Sequence, residues 1–181
     1  MADDLPDSYH LQAHANGYQA ENVDQALAMT FDAAGALFEI AGETWGLALM
    51  ALGRGDAVAP VSAVAPVADG PRLEYSRDTF TEWYLNTKWG LEQGFTFHNR
   101  PPGSGDLVLA LRTSGSLRAV PKSDTALALQ NNAGRTVAHY TGLYAYDANS
   151  RNLPARIEVG GEGVRIVVDD TGAMYPITVD P

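Results

Sequence analysis

The stretch Leu27-Ala28-Met29-Thr30-Phe31-Asp32-Ala33-Ala34-Gly35-Ala36-Leu37-Phe38-Glu39-Ile40 reads as strand, turn, strand. Two short runs rich in large apolar side chains flank Asp32-Ala33-Ala34-Gly35, the spacing that marks an antiparallel hairpin. The pattern recurs downstream. Residues 107–111 turn at Thr113-Ser114-Gly115 and are expected to return as 116–120. Residues 126–130 turn at Asn131-Asn132-Ala133-Gly134 and return as 136–140, and residues 156–159 turn through Gly160-Gly161-Glu162-Gly163 into 164–168. In that last run Val164, Ile166 and Val168 share one face and Arg165 and Val167 the other, the period of two of a half-buried strand. Asp170-Thr171-Gly172 then leads to a final strand. These four hairpins form a meander, and helical periodicity is confined to a turn or two within Val23–Met29. The chain is therefore expected to be all-β, an antiparallel β-sandwich or strongly twisted meander of roughly ten to fourteen strands with little helix. A closed barrel is the alternative.

The organisation expected along the chain is a flexible N-terminal tail (1–17), a β lobe (18–56), an Ala/Val/Pro-rich linker or crossover (57–71) and a main β-sandwich body (72–181). Ala-Val-Ala-Pro occurs at 57–60 and again at 63–66, and prolines at that spacing favour extended chain over helix. The alternative is one fold in which 18–56 and 72–181 share their sheets.

With 181 residues the chain can bury a real core. Its 12 Lys and Arg against 22 Asp and Glu give a net charge of -10, which repels phosphate backbones and anionic lipid, so no nucleic-acid partner is expected. The longest apolar run, Gly46 to Leu52, has the length of a strand and not of a membrane span, so no membrane insertion is expected. The absence of cysteine removes disulfides, thiolate metal sites and Cys nucleophiles together. MADDLPDSYH has neither the basic nor the apolar region of a signal peptide.

Tyr75, Trp83, Tyr84, Trp89, Phe95 and Phe97 crowd one segment. Exposed Trp and Tyr anchor protein partners or stack on sugar rings, which makes Tyr75, Trp83, Tyr84 and Trp89 the candidate contact residues. Adjacent Trp83 and Tyr84 must point to opposite faces of a strand. Trp89, before Gly90 in an expected loop, is the foremost candidate for an exposed contact.

Trp83-Tyr84-x-Asn86, Gly90-Leu91-Glu92-Gln93-Gly94-Phe95-Thr96, Pro101-Pro102, Leu143-Tyr144-Ala145-Tyr146-Asp147, Val168-Asp169-Asp170 and Tyr175-Pro176-Ile177-Thr178-Val179-Asp180-Pro181 together resemble the β-rich region that precedes the propeller in bacterial FG-GAP (integrin-α-like) repeat surface proteins. The resemblance covers about residues 71–181. It implies an extracellular or cell-surface location, a place in a longer chain continuing into propeller repeats beyond Pro181, and a non-catalytic structural or interaction role beside neighbouring domains of the same polypeptide. It carries over no catalytic residue.

Several chemical constellations can be weighed against it. A carbohydrate- or protein-binding adhesive module using the aromatic patch would take a glycan or a surface protein as partner. A hydrolase would need two carboxylates across a scissile bond, and Glu82 and Glu92 flank the aromatic motif. No cofactor is expected. For calcium the nearest approaches are Asp147-x-Asn149 and Asp169-Asp170-Thr171-Gly172, which read better as turns. His10 and His14 would share a face only on a helix. No Gly-x-Ser-x-Gly elbow occurs, and Gly160–Gly163 joins strand to strand where a phosphate loop leads into a helix.

Overall fold

The computed structural model describes residues 5–161 and 163–181. Residues 1–4 of the expected tail and Glu162 of the expected 160–163 turn lie outside them. The described strands are β1 (Gln12–His14), β2 (Gly17–Asn22), β3 (Leu27–Asp32), β4 (Gly35–Ile40), β5 (Glu43–Arg54), β6 (Ala57–Pro60), β7 (Val67–Asp69), β8 (Arg72–Ser76), β9 (Phe80–Thr87), β10 (Gly90–Phe97), β11 (Leu107–Gly115), β12 (Arg118–Ser123), β13 (Ala126–Gln130), β14 (Thr136–Thr141), β15 (Tyr144–Tyr146), β16 (Asn152–Leu153), β17 (Ala155–Gly160), β18 (Gly163–Val168) and β19 (Ile177–Asp180). Among the described residues two short 3-10 turns, Asp7–Tyr9 and Val23–Gln25, accompany them. Among the described residues no helix is long and apolar enough to cross a membrane.

The strands form three antiparallel sheets, none closed into a barrel. The first runs β1-β2-β3-β4-β5-β11-β18-β17. On the long strand β5, β4 pairs with residues 43–47 and β6 with 51–54, while β11 takes the other edge. The second runs β16-β15-β19-β10-β9-β8-β7, and the third is β12-β13-β14. The expected all-β sandwich is thus present. Strands on both sides of the Ala57–Pro71 stretch share the first sheet, and the stretch itself supplies β6 and β7. From Asp7 onward the N-terminal stretch forms a 3-10 turn and β1, with Leu11 buried and its N–H bonded to the Gly70 carbonyl at 2.9 Å.

Three expected hairpins form as read: β3–β4, β13–β14 and β17–β18. The fourth does not. Residues 107–111 do not fold back on 116–120; β11 pairs with β5 and β18, and β12 belongs to the third sheet. Leu107, Val108 and Leu109 are buried on both faces of β11, and a central strand takes a partner on each edge. Here distant segments supply both partners. At Gly115 the chain bends out of the sheet with φ +94, and the N–H groups of Ser116 and Leu117 both donate to the Thr44 carbonyl at 3.0 Å.

Alternation along each strand builds the core. Met29, Phe31, Phe38, Trp45 and Leu47 of the first sheet meet Tyr75, Tyr84, Phe95 and Val179 of the second, all buried. Phe31 lies 4.9 Å from Tyr84, ring centroid to centroid. The sheets are also tied by polar bonds. Tyr75 Oη donates to the carbonyls of Asp32 (2.9 Å) and Gly35 (3.1 Å) in the β3–β4 turn. Asn22 Nδ2 donates to Asn86 Oδ1 at 2.8 Å and to the Thr87 carbonyl at 2.7 Å, while Asn86 Nδ2 donates to the carbonyls of Tyr9 and Glu21.

At the other end of β5, Arg54 is 1 % exposed. Its Nε donates to the Pro101 carbonyl (2.8 Å), Nη1 to the Gly105 carbonyl (2.9 Å) and Asp170 Oδ1 (2.8 Å), and Nη2 to Asp170 Oδ2 (2.6 Å) and Tyr175 Oη (3.4 Å). All five N–H groups are therefore used, which offsets the desolvation that makes buried ion pairs costly. Burial raises the Asp170 carboxyl, but hydrogen bonds from Arg54 and Tyr175 and the charges of Arg54 and Arg100 outweigh it and bring it down to about 2. A depressed carboxylate stabilises the fold above its unfolded value of about 4, and that contribution is lost as pH falls from there towards 2. Urea unfolding should show this loss in the parent and its absence in Asp170→Asn. Arg54→Met, which leaves the Asp170 charge buried alone, should cost about 3–5 kcal/mol.

Candidate functional site

One end of the sandwich is left open. A groove of about 470 Å³ lies where the three sheets meet. The first sheet contributes Phe38, Trp45 and Leu47, the second Tyr84, Leu91 and Gln93, and the third Leu129 and every residue from Val137 to Thr141; Trp89 and Pro181 stand at its border. No Asp, Glu, Lys or Arg is among the residues lining it, although the chain is strongly acidic. A hollow of about 400 Å³ on the first sheet is bordered by Asp7, Glu21 and Glu39 and has no comparable aromatic wall.

The inner wall of the groove is a hydrogen-bonded set. Tyr140 Oη donates to Gln93 Oε1 (2.8 Å); Gln93 Nε2 donates to Tyr84 Oη (2.9 Å) and Glu82 Oε1 (3.2 Å); Tyr84 Oη donates to Glu82 Oε1 (3.0 Å). Behind them Arg77 Nη1 reaches Glu82 Oε2 at 3.1 Å. Burial raises the Glu82 carboxyl, against the pull of Arg77 and its hydrogen-bond donors. The same burial, with the Glu82 charge, pushes the Tyr84 and Tyr140 phenols well above their ordinary values. These phenols stay protonated and act as donors. Trp45 packs on Tyr140 at 5.5 Å between centroids, and its buried indole N–H has no partner.

The four aromatic candidates occupy different environments. Tyr75 and Tyr84 are in the core, 2 % and 1 % exposed. Trp83 does point to the opposite face from Tyr84, yet it is only 7 % exposed. Its ring lies over Gly94, where a Cβ would come within 2.0 Å of the indole, and the Arg72 guanidinium sits 4.7 Å from the ring centroid. Its Nε1 donates to Thr96 Oγ1 at 3.1 Å. Trp89 alone of the four is open to solvent, at 82 %. It sits in the two-residue turn between β9 and β10, with Lys88 Nζ 4.6 Å from its ring centroid. Gln25 Nε2 and Asn22 Nδ2 bond the Lys88 and Thr87 carbonyls and anchor this turn to the first sheet.

The other expected constellations do not converge. Glu82 is opposite Phe95 on the inner face of the second sheet, whereas Glu92 is opposite Leu85 on the outer face. The two carboxylates flank no common cleft. His10 follows a 3-10 turn and His14 ends β1, so no helix places them on one face. Asp147 accepts from the N–H groups of Asn149, Arg151 and Met174, and Asp169 from that of Thr171, as turn carboxylates do. Among the described residues no three His, Asp or Glu side chains come together as metal ligands.

The sequence reading missed Trp45, Gln93, Tyr140 and the edge of β14. Trp45 is embedded in an apolar strand and Gln93 in a turn-rich motif, and nothing local marks them as neighbours. Glu92 has a different partner, Asp180 of β19. Burial, then the Glu92 charge, raises the Asp180 carboxyl to about 7, and among the described residues no Lys or Arg pairs with either. A raised carboxyl contributes stability below its unfolded value of about 4 and loses it as pH rises towards 7. Stability should therefore fall between about pH 4 and pH 8, and Asp180→Asn should flatten that slope in urea unfolding. Comparisons with protein-family models, with curated proteins and with solved structures gave no match.

Proposed function

We propose that this chain is a non-catalytic interaction domain of a modular bacterial surface or secreted protein, of the kind that precedes the propeller in FG-GAP repeat proteins. Its contacts are with neighbouring domains of the same polypeptide or with a surface protein. The observation that carries the reading is the groove: it is largely apolar and aromatic, has no Asp, Glu, Lys or Arg in its lining, and is bordered by Trp89 and Pro181. Binding surfaces of proteins are depleted of charge at their centre and enriched in Trp and Tyr. An enzyme cleft brings titratable groups together, whereas here the buried titratable groups of the groove wall are bonded to one another. The open reading frame tests the context: an upstream export signal and in-frame propeller repeats after Pro181 are expected, and a stop codon directly after Pro181 would contradict it.

Trp89 favours a second reading, a glycan-binding module, because an exposed indole offers a flat face for a sugar ring. Neutral oligosaccharides should then change tryptophan fluorescence saturably in the parent and not in Trp89→Ala. That substitution touches no core contact and should alter stability by no more than about 0.5 kcal/mol. No saturable response in the folded parent would remove this second reading.

A further inference from the structure

Side chains alternate across a strand, so one face of β14 could place only every second residue on the groove. Five consecutive residues, 137–141, border it. The groove therefore sees the edge of β14. Among the described residues that edge has no strand on it: β14 is the last strand of the third sheet and pairs with β13. Across the groove, β19 pairs with β10 at Phe95–Phe97, and among the described residues Gly90–Gln93 have β9 on one side and no strand on the other.

The other edges carry the devices that keep stray strands away, namely charge, proline and short length. On the far side of the same sheet β12 has Arg118, Pro121 and Lys122; β17 has Arg156 and Glu158; β6 ends in Pro60; β1, β7 and β16 have three residues or fewer. β14, Thr136-Val137-Ala138-His139-Tyr140-Thr141, has no Lys, Arg, Asp, Glu or Pro. Its edge is as long as a whole strand, unguarded, and lies beside an uncharged apolar trough.

We propose that β14 is a docking edge: an extended, uncharged peptide strand of a partner protein adds to it and lays alternate apolar side chains into the groove against Trp45 and Tyr140. This rests on the interaction-domain reading. Main-chain hydrogen bonds to the edge hold the strand, and the pocket selects its side chains. The neutral lining rejects a charged side chain, which would lose its hydration without gaining a partner.

The test is a titration of the ¹⁵N-labelled protein with the capped peptide Thr-Val-Thr-Phe-Thr-Val-Thr and with the same peptide N-methylated throughout, which keeps the side chains and removes the N–H donors. The unmethylated peptide should shift the amides of 136–141 and the Trp45 indole saturably, slow amide exchange along β14, and bind at least about tenfold more tightly than the methylated one. Thr141→Lys, at an exposed site, should weaken binding with the rest of the spectrum unchanged. Equal binding of both peptides in the groove, or binding indifferent to Thr141→Lys, would overturn strand pairing and leave the groove as a contact surface. Absence of any shift at about 1 mM of either peptide would overturn the strand proposal and remove the support that the groove lends to the interaction-domain reading.

Discussion

The hydrogen bond from Tyr140 Oη to Gln93 Oε1 is the point at which the three sheets hold each other. Tyr140 belongs to β14, Gln93 to β10, and the ring of Tyr140 packs against Trp45 of β5. The third sheet has only three short strands, β12, β13 and β14. It is placed by what it touches. Leu127 and Leu129 enter the common core, the Ile157 N–H of β17 donates to the Asp124 carbonyl between β12 and β13 at 2.7 Å, and Tyr140 ties β14 to β10. The groove lies between β14 and the other two sheets. Were β14 to close on β10, its edge would be paired and the trough filled.

Most buried polar groups of the interior are paired, the Trp45 indole N–H and Arg77 Nε excepted. Arg54 has every donor engaged, the Asn22 and Asn86 amides satisfy each other and four further backbone or side-chain groups, and Glu82 is met by Arg77, Tyr84 and Gln93. A buried polar group without a partner costs about 1–3 kcal/mol, and completed networks of this sort fix one arrangement of strands over others. The hydrogen-bonding capacity of Glu82 and Asp170 is accordingly spent on the fold. What remains at the groove is largely apolar and without Asp, Glu, Lys or Arg.

Much of the fold was legible in the sequence because it is written in short range. The β3–β4, β13–β14 and β17–β18 hairpins follow from a turn between two apolar runs, and the opposite facing of Trp83 and Tyr84 from adjacency alone. The β11–β12 hairpin misled because Thr113-Ser114-Gly115 has turn chemistry but its strand is buried on both faces, and such a strand is claimed by distant partners. The expected loop before Gly90 sets Trp89 apart from Trp83 in the sequence, but the burial of Trp83 is not readable there. Gly94 and Arg72, which cover it, are neighbours only once the register of β8, β9 and β10 is known. The groove was illegible for the same reason, since Trp45, Gln93 and Tyr140 come from three sheets. One trace of it was readable: Thr136–Thr141 is a strand without the charge or proline found on the other long edges.

The most direct test of this account is amide hydrogen exchange across the whole chain, comparing the parent with Tyr140→Phe. The substitution removes one hydroxyl and leaves Gln93 Oε1 without its donor. If this bond sets the third sheet in place, exchange should quicken by about one to two orders of magnitude in β12, β13 and β14, a loss of about 1–3 kcal/mol, while β5, β11 and β18 keep their protection. Uniform loss of protection in all three sheets, or none in β13 and β14, would show that the third sheet is held by something else and would contradict the account.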